Sequence, residues 1–235
     1  MLSVLVFDPH SSGSQTQRRH YRVINFTGWR DRGAELEVFS SEAWAWSARD
    51  AEFGVPADFI LGSTHVHDGA VYLLAADGDA AARVVCVDVA GGEDDEPACT
   101  VVDLPEPMDG GDGRVGHSGG LLHYVTSDGE LLKVWVLEEG GQWRLKHAVK
   151  VDDVVEGGCG GGEVRFLALH PEKDAVYMWS PWKLVEFDLV KKEITGAWQF
   201  GGKDQEGEKN RVVKTWLVPS SMYLSDCLAD GQVQG

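Results

Sequence analysis

"LALHPEKDAVYMWSPWKLVEFDLVKKEI", residues 167–194, holds two short apolar runs, 167–169 and 175–179, separated by "HPEKD". The five central residues read either as a reactive cluster or as a turn, and the surrounding pattern decides for the turn. Pro171 fixes its own φ, Asp174 suits local turn hydrogen bonds, and Glu172 and Lys173 then face water. Strand, turn and strand is therefore the unit from which the rest of the chain can be read.

The same unit recurs in both directions. "AELEVFSSEAWAWSA" alternates from Leu36 through Val38 and again at Trp44 and Trp46, while "GAVYLLAADGDAAARVVCVDVA" reads as two strands around a DG-containing loop. Helical periodicity is hard to find, because Gly, Asp, Ser and Pro interrupt every apolar run. The strand ends "VFS", "CVD", "VWV" and "EFD", aligned on Phe39, Val87, Trp135 and Phe187, follow one another at 48, 48 and 52 residues. A second marker, aligned on Tyr72, His123 and Tyr177, repeats at 51 and 54. "SVLVFDP" near the start resembles a further strand end at Phe7, only 32 residues before Phe39.

A period of about 50 residues with roughly four short strands each is the pattern of propeller blades. The expected fold is all-β: an antiparallel, β-propeller-like, kelch-type array of about four blades forming a single domain over residues 1–235. A complete small ring and a fragment of a larger one both stay open. The stretches "GGEDDEPA" (91–98), "EPMDGGDGR" (106–114), "EGGCGGGE" (156–163) and "GGKDQEGEKN" (201–210) fall between these units and read as exposed loops.

Composition narrows the function classes. With 38 acidic against 21 basic residues the formal charge is −17, which repels phosphate backbones and anionic headgroups, so neither nucleic acid nor a membrane surface is an expected partner. No apolar run approaches the roughly 20 residues of a membrane helix. Cys86, Cys99, Cys159 and Cys227 are widely spaced, and "MLSVLVFD" lacks the basic start and length of a secretion signal. Free thiols in an intracellular compartment, cytoplasmic or nuclear, are expected.

Chemical motifs are present in outline only. "GHSGG" (116–120) has the G-x-S-x-G spacing, but an alternating hairpin follows it where a nucleophile elbow needs a helix, so Ser118 reads as a turn residue. "HVHDG" (65–69) offers His65, His67 and Asp68, and His117 and His123 occupy the equivalent region of the next repeat. Zinc takes three or four ligands in fixed geometry, and blade-to-blade repetition explains the spacing without it. "GGCGGG" around Cys159 lacks the GK[ST] of a phosphate loop. The pairs Asp94-Asp95 and Asp152-Asp153 sit beside turns and receive no acid or base role. No catalytic residue, cofactor site or metal site is assigned.

Nine tryptophans are the unusual feature. Trp46, Trp135, Trp143 and Trp198 lie in strand-like contexts and are expected in blade cores or blade-to-blade packing. Trp29, Trp179 and Trp182 flank charged or Pro-containing turns, "TGWRDRG" and "MWSPWK", where an exposed aromatic can anchor a protein partner.

The order of motifs "YRVINF" (21–26), "ELEVFSSEAWAWS" (35–47), "HVHDGAVYLL" (65–74), "GGLLHYVTSDGELLKVWVLEEGGQWRLKH" (119–147) and "FLALHPEKDAVYMW" with "LVEFDLVKKEI" (166–194) resembles the F-box-associated C-terminal region of plant, grass-type F-box proteins, over most of the chain. The resemblance implies a noncatalytic propeller-like region that captures the protein to be ubiquitinated, while a separate helical F-box docks the adaptor of a cullin-type ligase. Met1 leads directly into a strand, so no F-box is expected in this sequence and adaptor binding is not expected of it. Two other readings remain: a propeller-based metal-dependent or hydrolytic enzyme using His65, His67, His117 or His123, and a truncated relative without function.

Overall fold

The computed structural model describes residues 2–7, 20–76, 82–89, 97–107, 113–128, 130–150, 165–180 and 183–199. The inter-repeat stretches named above fall largely outside the described residues, as do Trp182, Cys159, Cys227, Asp94, Asp95, Asp152 and Asp153. The described residues form two compact units, one up to residue 107 and one from 113 onward. No helix among them is long and apolar enough to cross a membrane.

The first unit holds two four-stranded sheets. One is β1 (Leu2–Phe7), β2 (Tyr21–Arg30), β3 (Gly33–Ser40) and β4 (Ala45–Glu52), and the other is β5 (Ile60–His67), β6 (Ala70–Ala76), β7 (Ala82–Asp88) and β8 (Cys99–Asp103). A short 3-10 turn, Ala57–Phe59, joins them. The second unit repeats the plan with β9 (Arg114–Ser118), β10 (Leu121–Ser127), β11 (Leu131–Leu137) and β12 (Trp143–Lys150), then β13 (Arg165–Leu169), β14 (Ala175–Ser180), β15 (Lys183–Asp188) and β16 (Glu193–Gln199). Every sheet is an antiparallel meander in chain order.

The repeat markers fall on equivalent strands. Phe39, Val87, Trp135 and Phe187 lie on the third strand of the four sheets, and Tyr72, His123 and Tyr177 on the second strand of the last three. The early match at Phe7 belongs to a first strand instead, which is why its spacing of 32 breaks the period.

Each unit closes its own core. In the first, Val4, Ile24, Phe26, Leu36 and Val38 meet Val71, Leu73, Val85 and Val87 of the second sheet. In the second, Val125, Leu132 and Val134 meet Val176, Met178, Val185 and Phe187. Strands such as β11, with Leu132, Val134 and Val136 buried and their neighbours half-buried, show the expected period of two. β6 and β10 bury residues on both faces and so read as near-continuous apolar runs.

Hairpin chemistry sets the registers. Gly119 and Gly120, at φ 58° and 77°, make the two-residue turn between β9 and β10, a primed turn whose twist matches the flanking strands. Asp68 and Gly69 at φ 48° and 76° do the same between β5 and β6.

Candidate functional site

The "HPEKD" turn lies where the sequence puts it, between β13 and β14, with Glu172 and Lys173 exposed. Its inside is built by an unexpected residue: His170 Nδ1 accepts hydrogen bonds from the Glu172 and Lys173 backbone N–H groups, both at 3.1 Å. Its outside clasps the neighbouring sheet of the same unit. Gly119 N–H donates to the Pro171 carbonyl at 2.8 Å, and Ser118 Oγ donates to the Lys173 carbonyl at 3.3 Å.

Asp174 completes the clasp. Its carboxylate accepts a hydrogen bond from Lys146 Nζ and lies 3.7 Å from His147 Nε2. Lys146 is the extra residue of a β-bulge in β12, opposite the step from Val134 to Trp135, and the bulge re-aims it toward the turn. Burial works against the Asp174 carboxylate, but the Lys146 hydrogen bond and charge, with His147 and His123, outweigh it and hold its pKa below the ordinary value. Burial pushes the His147 and His123 pKa values down, against the pull of Asp174 on the first and of the Leu121 carbonyl, 2.8 Å from Nδ1, on the second. Sequence alone does not reveal this contact, because Lys146 and Asp174 are 28 residues apart on different sheets.

The motif residues sort by unit. Ser118 ends β9, buried and bonded to the clasp, with the hairpin turn after it. In the first unit His65 and His67 lie on β5 with rings stacked 6.4 Å apart. Burial first, then the neighbouring His67, pushes the His65 pKa down to about 4, so both imidazoles stay neutral near pH 7. They offer two of the three or four ligands zinc takes. His117 and His123 belong to the second unit, on β9 and β10, and there His123 is fully buried with one ring nitrogen on the Leu121 carbonyl. Cys86 and Cys99 are free and half-buried on β7 and β8; burial raises both thiols, Cys99 to about 11, so neither is an activated nucleophile.

The tryptophans divide differently from the sequence expectation. Trp29 is 41% exposed, at the end of β2, and leans on Phe26 and Phe53 at 6.0 and 5.9 Å. Trp179 is half-buried on β14, paired with Arg165 and Leu184. Trp135 and Trp143 are half-buried. Trp46 and Trp198, expected in blade cores or blade-to-blade packing, are 57% and 45% exposed on β4 and β16, so neither lies in a core. Trp198 instead lies over Gly196, where a Cβ would come within 2.7 Å of its ring.

Trp44 is the outlier. It lies in the turn before β4 and not on the strand, at φ 55° and 74% exposed, a left-handed backbone that bulky residues rarely adopt. With Trp46 it brackets Phe39, at 5.5 and 5.3 Å between ring centres. Two tryptophans separated by one alanine, the first two positions after Glu42 in "EAWAW", are the available signal.

A family model described as "F-box protein At3g26010-like, beta-propeller" matches residues 19–225, across both units. None of the curated proteins compared with the chain matches it. Four antiparallel four-stranded meanders at a period near 50 residues agree with that family match. The chain belongs to the F-box protein At3g26010-like β-propeller family.

Proposed function

We propose that this chain is a noncatalytic protein-interaction domain that captures a protein target, as the substrate-recognition part of an F-box protein acting with a cullin-type ubiquitin ligase. The observation that carries the reading is the family match over residues 19–225, which names an F-box protein propeller. Physical chemistry supports it: the sheets spend their apolar residues on packing, burial raises the pKa of the Cys86 and Cys99 thiols, and large aromatic side chains remain at the surface. A charge of −17 favours a protein target over nucleic acid, in the cytoplasm or nucleus. Trp29, Trp179 and Trp182 are proposed as partner contacts, aromatic anchors beside turns.

The test has two stages. Photo-crosslinking in cells identifies a target, and the purified target is then titrated with the purified chain. Saturable binding that persists in chelator, with the target's ubiquitination falling when the gene is removed, is the expected result. No saturable binding, or a turnover activity abolished by His65→Ala, contradicts the proposal.

A further inference from the structure

The β3–β4 hairpin carries a face that the described residues of its own unit leave largely exposed, with Glu35, Glu37 and Trp46 exposed and Phe39 half-buried. Leu36 and Val38 point into the core, so Glu35, Glu37 and Phe39 point outward along β3. The register sets Asp50, Ala48 and Trp46 directly opposite them on β4, and Val23 of β2 pairs with Phe39. The Tyr21 ring lies 6.2 Å from that of Phe39, and Trp44 from the turn and Trp46 from the facing strand close on Phe39. One end of the face is thus aromatic, and the other is a run of carboxylates two residues apart.

Charge says what the face fits. From 33 to 52 the chain carries five carboxylates and a single guanidinium, that of Arg49. Asp50 is occupied by Arg30, whereas Glu37 and Glu42 have no ion-pair partner among the described residues. Glu42 stands exposed in the same turn as Trp44. A purely apolar partner would strip water from these carboxylates without replacing it, and an acidic partner would be repelled. A guanidinium satisfies both ends, since it is weakly hydrated, stacks on indole faces and donates to carboxylates.

The backbone supplies an independent sign. The β15–β16 turn uses the same left-handed position as Trp44 and fills it with Lys192, and the β11–β12 turn fills its own with Gly140 and Gly141. The fold therefore needs a positive φ there and has no need of tryptophan. A strained, exposed aromatic that the turn does not require points to a use outside the chain.

We propose that this face docks an extended, arginine-bearing segment of a protein partner, its guanidinium groups stacking on Trp44, Trp46 and Phe39 and pairing with Glu42, Glu37 and Glu35. Alternate side chains of an extended segment face one way, which matches the two-residue spacing of the carboxylates. The inference rests on the protein-interaction reading and narrows it to one partner chemistry.

The test uses a short fluorescent peptide alternating Arg and Thr, and its analogue with citrulline for Arg, titrated against the full chain. Salt at about 0.15 M, with a Debye length of about 8 Å, suppresses long-range attraction to the acidic chain. Saturable binding, about tenfold weaker for the citrulline peptide and for Trp44→Gly or Trp46→Thr, is expected. A Glu37→Gln, Glu42→Gln variant, which leaves the rings in place, should weaken the Arg peptide alone. Equal binding by the tryptophan variants means unspecific charge attraction and overturns the proposal, and equal binding of the citrulline peptide means an apolar site and does the same. A dimer of the wild-type chain that Trp44→Gly dissolves makes a second copy the occupant and also overturns it. If the crosslinked target still binds Trp44→Gly at full strength, this inference falls and the protein-interaction reading stands.

Discussion

In the second unit Trp143 opens β12 half-buried, its ring 6.3 Å from fully buried Tyr124, and the turn before it takes its positive φ at Gly140 and Gly141. In the first unit the corresponding hairpin puts Trp44 at the positive φ and leaves both Trp44 and Trp46 exposed. Two hairpins of one plan thus treat their aromatic residues in opposite ways. The left-handed backbone at Trp44 costs about 1–2 kcal/mol, which an edge contact with Phe39, worth about 0.5–1.5 kcal/mol, only offsets. Trp143 packs beside buried Tyr124 in its sheet, whereas Trp44 gains from its ring contact about what its backbone strain costs. A repeat architecture makes such a difference readable, because one blade serves as the reference for another.

The buried cores of the two units should respond most strongly to substitution. Phe26→Ala in the first unit and Phe187→Ala in the second should each destabilise the protein by about 3–5 kcal/mol in urea unfolding, since both side chains are fully buried among large neighbours. A loss under about 1 kcal/mol at either position would mean that unit's core is not closed as described.

Acid should act on the first unit through His65. The folded His65 pKa of about 4 lies below the ordinary 6.5, so the folded state favours the neutral ring. Its contribution is complete above pH 6.5 and is lost as the pH falls toward 4, by on the order of 3 kcal/mol. His65→Asn should flatten the stability curve over that interval, and an unchanged slope would contradict the burial of the ring.

The clasp of the second unit comes third. Asp174 and Lys146 side chains are 35% and 27% exposed, so Asp174→Ala should remove about 1–2 kcal/mol and no more. The depressed Asp174 pKa adds stability present above the ordinary carboxylate value and lost as the pH drops through the folded one. Asp174→Asn should remove that acid-side loss, as read in melts below pH 4.

Trp44→Gly relieves the left-handed strain while forfeiting one ring contact, so stability should change by less than about 1 kcal/mol. Trp143→Ala, which opens space against Tyr124, should lower the melting temperature clearly more. Equal losses at the two positions would make Trp44 a structural residue.

The sequence exposes the strand plan because a four-strand meander forces its markers to recur: Phe39, Val87, Trp135 and Phe187 had to lie one sheet apart. It exposes the "HPEKD" turn because proline and the bracketing apolar runs act locally. It does not expose the Asp174 clasp, since a bulge at Lys146 and a neighbouring sheet decide that contact. Nor does it expose the surface position of Trp46 and Trp198, because alternation tells which face a side chain takes but not whether another layer covers that face. Trp44 looks like one more alternating strand residue until its φ is known.

The most direct measurement is the oxidation rate of each tryptophan in the purified chain, with and without the crosslinked target added back, read by mass spectrometry. Trp44 and Trp46 should oxidise fast in the free chain and be protected in the complex, while half-buried Trp143 is slow in both. Unchanged rates at Trp44 and Trp46 on saturation with the target would mean that the target docks elsewhere.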